Sequence, residues 1–241
     1  MLSSKGSWGS SSDSFYEYLL KAYIYDQKTY VSYLERWKLA ADSTMQIIAS
    51  RPYGRPDEVF LPYWEGDARL NAMDSLSWFA GGSYVLGGMV TSNQTLLEFG
   101  LMIANTGGHM YNSTATGLGS EFVHWTPDCS YAWGEEHCDG KNSVRASDKS
   151  FKLRPEVLET WYYAYRATRD PKYREWAWNM FMSIERVCKT EYGYSAISDV
   201  TMPDGGEKLD QQESLVFAEV FKYIYLMHLE VSLANLSRSD L

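Results

Sequence analysis

Apolar residues recur at helical spacing along most of this chain. Residues 13–25 (DSFYEYLLKAYIY) open on an Asp-Ser cap signal and then carry apolar side chains every three or four positions. Residues 28–49 continue in the same style, with Tyr33, Trp37, Ala40 and Ile47 on one face. A Pro- and Gly-rich loop, SRPYGRPDEVFLPYWEGD, interrupts the pattern. Helices are then predicted at roughly 70–89, where small residues dominate, and at 93–112. Residues 113–152 are rich in Gly, Ser and Thr and show no clean period. A loop of that length is usually functional or disordered. Helical periodicity returns at 155–168, 171–188 and 211–229, and EYGYSAISDVTMPDGG within 191–209 has room for a short β-hairpin.

About seven helices joined by loops, with no βα alternation, predict an all-α chain of antiparallel hairpins in series. Such a series closes into an α/α toroid or stacks into a solenoid. No repeat of fixed period appears, which favours the toroid. Acids sit near the starts of alternate helices: Asp13 and Glu17, Glu156 and Glu159, Glu213 and Glu219. In a toroid, alternate helices form the inner ring and their like ends meet at one mouth, so these acids are expected to converge.

The stretch FKLRPEVLETWYYAYRATRDPKYREW carries the most pointed chemistry. Pro155 suits the first helical position, and Glu156 and Glu159, three residues apart, share one face of the first turns. A helix start favours ionised acids. Taken alone, that is ordinary helix stabilisation.

Composition narrows the options. With 241 residues and 45% hydrophobic content, the chain can bury a sizeable core. The 19 Tyr and 9 Trp are many; most are expected in the core, although such amphipathic rings also line sugar-binding grooves. A net charge of −9 argues against nucleic acid, which needs a basic face, and suits a neutral partner or a bound cation. Four scattered His and no CxxC or HExxH pattern argue against zinc. Cys129 and Cys138 flank SYAWGEEH and are a candidate loop disulfide, with reduced thiols as the alternative. Sequons at Asn93, Asn112 and Asn235 point to secretory exposure, yet MLSSKGSWGSSS has no apolar core of a signal peptide. No run of 18 apolar residues predicts a membrane span.

Six blocks in series resemble the class I α-1,2-mannosidases, glycoside hydrolase family 47, of the fungal branch. They are SDSFYEYLLKAY, AMDSLSWFAGGSYVLGG, TATGLGSEFVHW, LRPEVLETWYYAYRATRDPKYREWAW, EYGYSAISDV and DQQESLVFAEVFKYIYL. The resemblance implies about half of an (α/α)7 barrel over 13–230, after a disordered segment at 1–12 and before a divergent tail at 231–241. It implies a glycosidase that hydrolyses terminal Man-α-1,2-Man on mannose-rich N-linked oligosaccharides with inversion and with bound Ca2+. Carried over by position, Glu156 matches the general base and Asp13 the second catalytic acid. Arg154, Glu17, Glu121 and Glu213 match substrate-holding residues. Glu159 and Glu213 match acids around calcium, acting through water. An inverting hydrolase needs two carboxyls roughly 6.5–9.5 Å apart. The helix start, Arg154 and a divalent cation are all expected to lower the pKa of Glu156.

The departures carry expectations of their own. The resemblance places the usual proton donor in an N-terminal half that precedes the Asp13 block. A terminal calcium-binding Thr has no counterpart in VSLANLSRSDL. Ser75 stands at a sugar-contacting His position, and Trp78 and Gly108 replace a bridging Cys pair. The chain is therefore expected to be a C-terminal half: catalytically incomplete alone, open at its edges, and prone to associate through exposed apolar surface. For the complete protein the expected location is the secretory pathway or outside the cell. The alternatives are a mannose-glycan-binding, quality-control lectin-like module, and a toroid hydrolase acting on another glycan.

Overall fold

The computed structural model describes residues 5–10, 12–128, 140 and 142–229. Seven α-helices lie among them, in the order expected: α1 (Asp13–Tyr25), α2 (Val31–Ser43), α3 (Phe79–Thr91), α4 (Gln94–Asn112), α5 (Glu156–Thr168), α6 (Lys172–Val187) and α7 (Lys222–His228). Single π-helical turns extend α2 over Thr44–Ile48 and lead into α7 over Val216–Phe221. α1 packs on α3, α3 on α5 and α5 on α7, so alternate helices form one continuous inner row. α2 backs α1, α4 backs α3 and α5, and α6 backs α5 and α7. This is the hairpin arrangement of an α/α toroid, read from one edge of the row to the other.

α3 is the centre of the row because FAGGSYVLGG is apolar or small on every side, and all of it is buried. Small residues let neighbouring backbones close in: a Cβ on Gly100 of α4 would sit 2.6 Å from the Val85 backbone nitrogen. The Trp78 and Gly108 departures also become intelligible. Trp176 of α6 fills the space a side chain on Gly108 would need, and Trp78 lies beside Gly107. Indole packing occupies this helix–helix seam.

Three expectations need correction. The segment 1–12 is not disordered throughout. Lys5–Gly6 forms strand β1, and Trp8 is fully buried, donating from Nε1 to Thr44 Oγ1 at 2.8 Å and stacking on Tyr16. Burial of an indole with a satisfied N–H outweighs the Ser/Gly-rich composition around it. The helix expected from residue 70 begins only at 79. β1 pairs with β2 (Tyr63–Glu65), β2 with β3 (Ala68–Leu70), and Ala72–Asp74 forms β4 before a 3-10 turn at Ser75–Trp78. The loop at 113–152 is partly sheet: β5 (Phe122–Trp125) and β6 (Val144–Asp148) join β4 in antiparallel order β4-β5-β6. The short hairpin within 191–209 is present, as Ala196–Ile197 (β7) pairs antiparallel with Lys208–Leu209 (β8). The candidate disulfide Cys129–Cys138 and the tail 231–241 lie outside the described residues.

Asp74 ties this frame together. Its carboxylate accepts Ser77 N–H (3.0 Å), Ser77 Oγ–H (2.9 Å), Ser10 N–H (3.1 Å) and the Tyr63 hydroxyl. It thereby caps the turn into α3 and clamps the segment that delivers Asp13. Asp74→Ala is expected to cost about 3 kcal/mol, the sum of a lost cap and donors left buried. Urea unfolding of the chain measures this directly.

Exposed aromatics gather at the two ends of the inner row. Phe15, Tyr18 and Tyr25 stand on α1, and Phe217 and Tyr225 at α7. Tyr25 is 88% exposed.

Candidate active site

The site is built around the start of α5. Leu153, fully buried, takes a left-handed backbone (φ 58°), and the chain then passes through Arg154 and Pro155 into Glu156, the first residue of α5. A bulky residue in that region is strained and persists only where its surroundings over-determine it. Here the strain turns Arg154 back toward Glu121 while α5 carries Glu156 and Glu159 inward on one face.

Glu121 is fixed from several directions. Its backbone is held by Ser150 O and by Ser75 N–H, each at 2.9 Å. Its carboxylate accepts Lys152 N–H at 2.9 Å and Arg154 Nε–H at 3.1 Å. The Arg154 guanidinium also feels Glu156 and Glu213. Glu213 is thus on the same electrostatic patch, and its Oε1 accepts from Gln211 Nε2.

One turn further along α5, Glu159 meets α1. Lys21 Nζ lies 3.5 Å from Glu159 Oε1 and also bonds Glu17, one turn back on its own helix. The Glu17–Lys21–Glu159 chain stitches the outermost inner helix to α5. Glu219, from the turn leading into α7, bears electrostatically on both Glu156 and Glu159. Acids from α1, the start of β5, α5 and the approach to α7 therefore share one region.

Asp13 is not joined to these acids by any contact described in the structure: it stands one turn before Glu17 on α1, and its Oδ1 accepts the Ser14 N–H at 2.8 Å.

The expected low pKa of Glu156 is reversed. Burial pushes its carboxyl up to about 8, and the bond from its own N–H and the charge of Arg154 oppose this only in part. The reason is local: Oε2 is buried and has no hydrogen-bond partner. Desolvation of one unpaired oxygen outweighs the helix start and an Arg already committed to Glu121. Glu159 is likewise raised by burial, to about 7, with Lys21 pulling the other way.

Lys21 and Tyr111 beside these acids, and Asp74 in the frame that supports them, are not among the residues the sequence singled out. Lys21 had a visible signal, since Glu17 and Lys21 are an i, i+4 pair. Asp74 had one too, in the cap-like run Asp-Ser-Leu-Ser ahead of an apolar helix. Tyr111 had none, because nothing in its local sequence says where the end of α4 points.

Comparison with known proteins places this geometry. The model of glycosyl hydrolase family 47 matches residues 1–239. A mannosyl-oligosaccharide alpha-1,2-mannosidase of Penicillium citrinum is 43% identical over 227 residues, covering 94% of this chain and 44% of the relative. One from Coccidioides posadasii is 42% identical over 223 residues, covering 92% and 43%. The solved structure of an alpha-1,2-mannosidase from Trichoderma reesei superposes with a TM-score of 0.88 at 38% identity, covering 94% of this chain and 48% of that one. The chain spans less than half the length of the curated relatives it matches.

Proposed function

Because the chain belongs to glycosyl hydrolase family 47, we propose that it forms part of an α-1,2-mannosidase, hydrolysing terminal Man-α-1,2-Man of mannose-rich N-linked oligosaccharides. The observation that carries this reading is the convergence of buried carboxyls from distant parts of the chain on the strained Leu153–Glu156 turn, within a fold that matches a mannosidase at TM-score 0.88. In this reading Glu156 takes the proton of the attacking water. Arg154 and Glu121 hold sugar hydroxyls, and Glu17 and Glu213 complete the grip. Asp13 serves as the second catalytic carboxyl.

A base must be ionised, and burial holds the Glu156 proton up to about pH 8. Positive charge beyond Arg154 is therefore needed at work. The donor set here is hard oxygen, which fits Ca2+. Among the described residues no three metal-ligating side chains stand close enough for a direct cage, so Glu159 and Glu213 would hold the ion through water. Bound Ca2+ supplies the charge that favours ionised carboxyls nearby. The protonated state of Glu156 at neutral pH also supports a second reading, glycan binding without turnover. The exposed aromatic ends of α1 and α7 are the surfaces through which we propose that the chain associates with other polypeptide. Among the described residues no helix is long and apolar enough to cross a membrane.

The test is a chimera in which residues 5–229 replace the matching segment of the Penicillium citrinum relative. Calcium-dependent release of mannose from Man-α-1,2-Man is the expected result. Folded chimera that binds the disaccharide without cleaving it would leave the binding reading instead.

A further inference from the structure

Among the described residues, four buried side-chain polar atoms have no hydrogen-bond partner: Ser75 Oγ, Tyr111 OH, Thr126 Oγ1 and Glu156 Oε2. Folded interiors rarely leave such atoms unpaired, because a buried polar atom without a partner keeps its full desolvation cost. Three of the four belong to residues that border the 119–121 segment or begin α5. Ser75 donates its backbone N–H to Glu121 O at 2.9 Å. Tyr111 lies on α4 one turn beyond Gly107, which packs on Val157, the residue after Glu156. Its ring meets Trp161 of α5 edge-on at 5.7 Å, and its hydroxyl-bearing end covers Gly119, where a Cβ would fall 2.4 Å from Cζ. Gly119 is two residues before Glu121. The charges the phenol feels most are those of Glu156 and Glu121.

We propose that Tyr111 OH, Ser75 Oγ and Glu156 Oε2 hold one internal water, and that Tyr111 is a positioning residue acting on Glu156 through it. The phenol and the Ser75 hydroxyl donate to the water, and the water donates in turn to the carboxyl oxygen. Two to four polar partners are what a buried water needs. The Tyr111 ring also forms one wall of a cleft of about 490 Å3 that it shares with Trp78, Gly119, Ser120, Val123 and Thr201. The inference deepens the hydrolase reading by giving Glu156 a partner, and its mechanistic half rests on that reading.

The experiment uses the 241-residue chain and its Tyr111→Phe and Ser75→Ala variants. Water-to-amide cross-relaxation detects a long-lived water at the Ser75 amide. The wild-type chain is expected to show this signal, and both variants are expected to lose it while keeping near-native urea midpoints. Absence of the signal in the wild-type chain, or its persistence in both variants, overturns the proposal. Ser75→Ala decides alone if Tyr111→Phe does not fold. In the chimera, Tyr111→Phe is expected to lower kcat about tenfold at unchanged KM and to move the pH profile, which a purely structural role would not do. The water signal needs no turnover. An inactive wild-type chimera therefore sinks the hydrolase reading and leaves the water site standing.

Discussion

Glu156→Gln in the chimera is expected to lower kcat by ~10^3-fold, within the range a positioned general base contributes. The substitution keeps the shape of the side chain and removes only its ability to take a proton. Arg154 keeps its bond to Glu121 at 3.1 Å, so that ion pair is not disturbed. KM should therefore change little, and the loss should fall on kcat. Stability should move the other way. Glu156 is half-buried, with one buried and unpaired oxygen, and charging it in that setting is costly. At pH 8 the neutral amide removes that cost, so the variant should melt higher than its parent while being almost inactive. A residue kept for packing would lose stability on substitution and leave the rate alone. Glu175→Gln, on an exposed face of α6, serves as a control and should alter neither. A Glu156→Gln chimera that retained more than a tenth of the parent kcat would remove Glu156 from the chemistry.

Much of this arrangement was legible in the residues. α1 was delimited at 13–25 from its cap signal and periodicity, and the structure keeps those bounds. The inner row follows from the alternation of acid-bearing helices, because hairpins in series leave every second helix on the same side. What could not be read was long-range. β5 and β6 are short and sit in a Gly/Ser/Thr-rich stretch, and the pairing of β5 with β4 joins residues about fifty positions apart. Period-2 signals in strands of three to five residues are too brief to separate from loop. Trp8 was misjudged because its partners, Tyr16 and Thr44, come from two different helices. The sign of the Glu156 shift was misjudged for a related reason. Sequence shows the helix start and Arg154, both of which lower a carboxyl pKa, but not the depth of burial that outweighs them. The acids stand out in the sequence by their helix-start positions; the groups paired with them, Lys21 above all, emerge only from the coordinates.

The same buried carboxyls should make the chain less stable as pH rises. Glu156 and Glu159 have folded-state pKa values raised to about 8 and about 7, above the usual carboxylate range. Groups shifted upward contribute stability that is fully present below the unfolded pKa and lost as pH rises through the folded pKa. Between those limits the unfolded chain has released the proton and the folded chain has not. The unfolding free energy then falls by roughly 1.4 kcal/mol per pH unit for each such group. Glu156 faces Arg154, Glu121, Glu219 and Tyr111; Glu159 faces Lys21, Glu17, Glu219 and Tyr223. The two cations are already paired, so neither is free to absorb the new charge. Carboxyls shifted downward, such as Asp148 and Asp199, act only in more acidic solution. From pH 5 to pH 8 the urea midpoint should therefore drop steadily, by the equivalent of roughly 6 kcal/mol for the two groups together, a large share of an ordinary domain's stability. Glu156→Gln should remove about half of that slope. Ca2+ should flatten it further if Glu159 and Glu213 hold the ion through water, because charge neutralised by the metal no longer opposes folding. A midpoint that stays level from pH 5 to pH 8 in metal-free buffer would mean that these two carboxyls are better solvated than their burial implies, and the case for an activated Glu156 would fall with it.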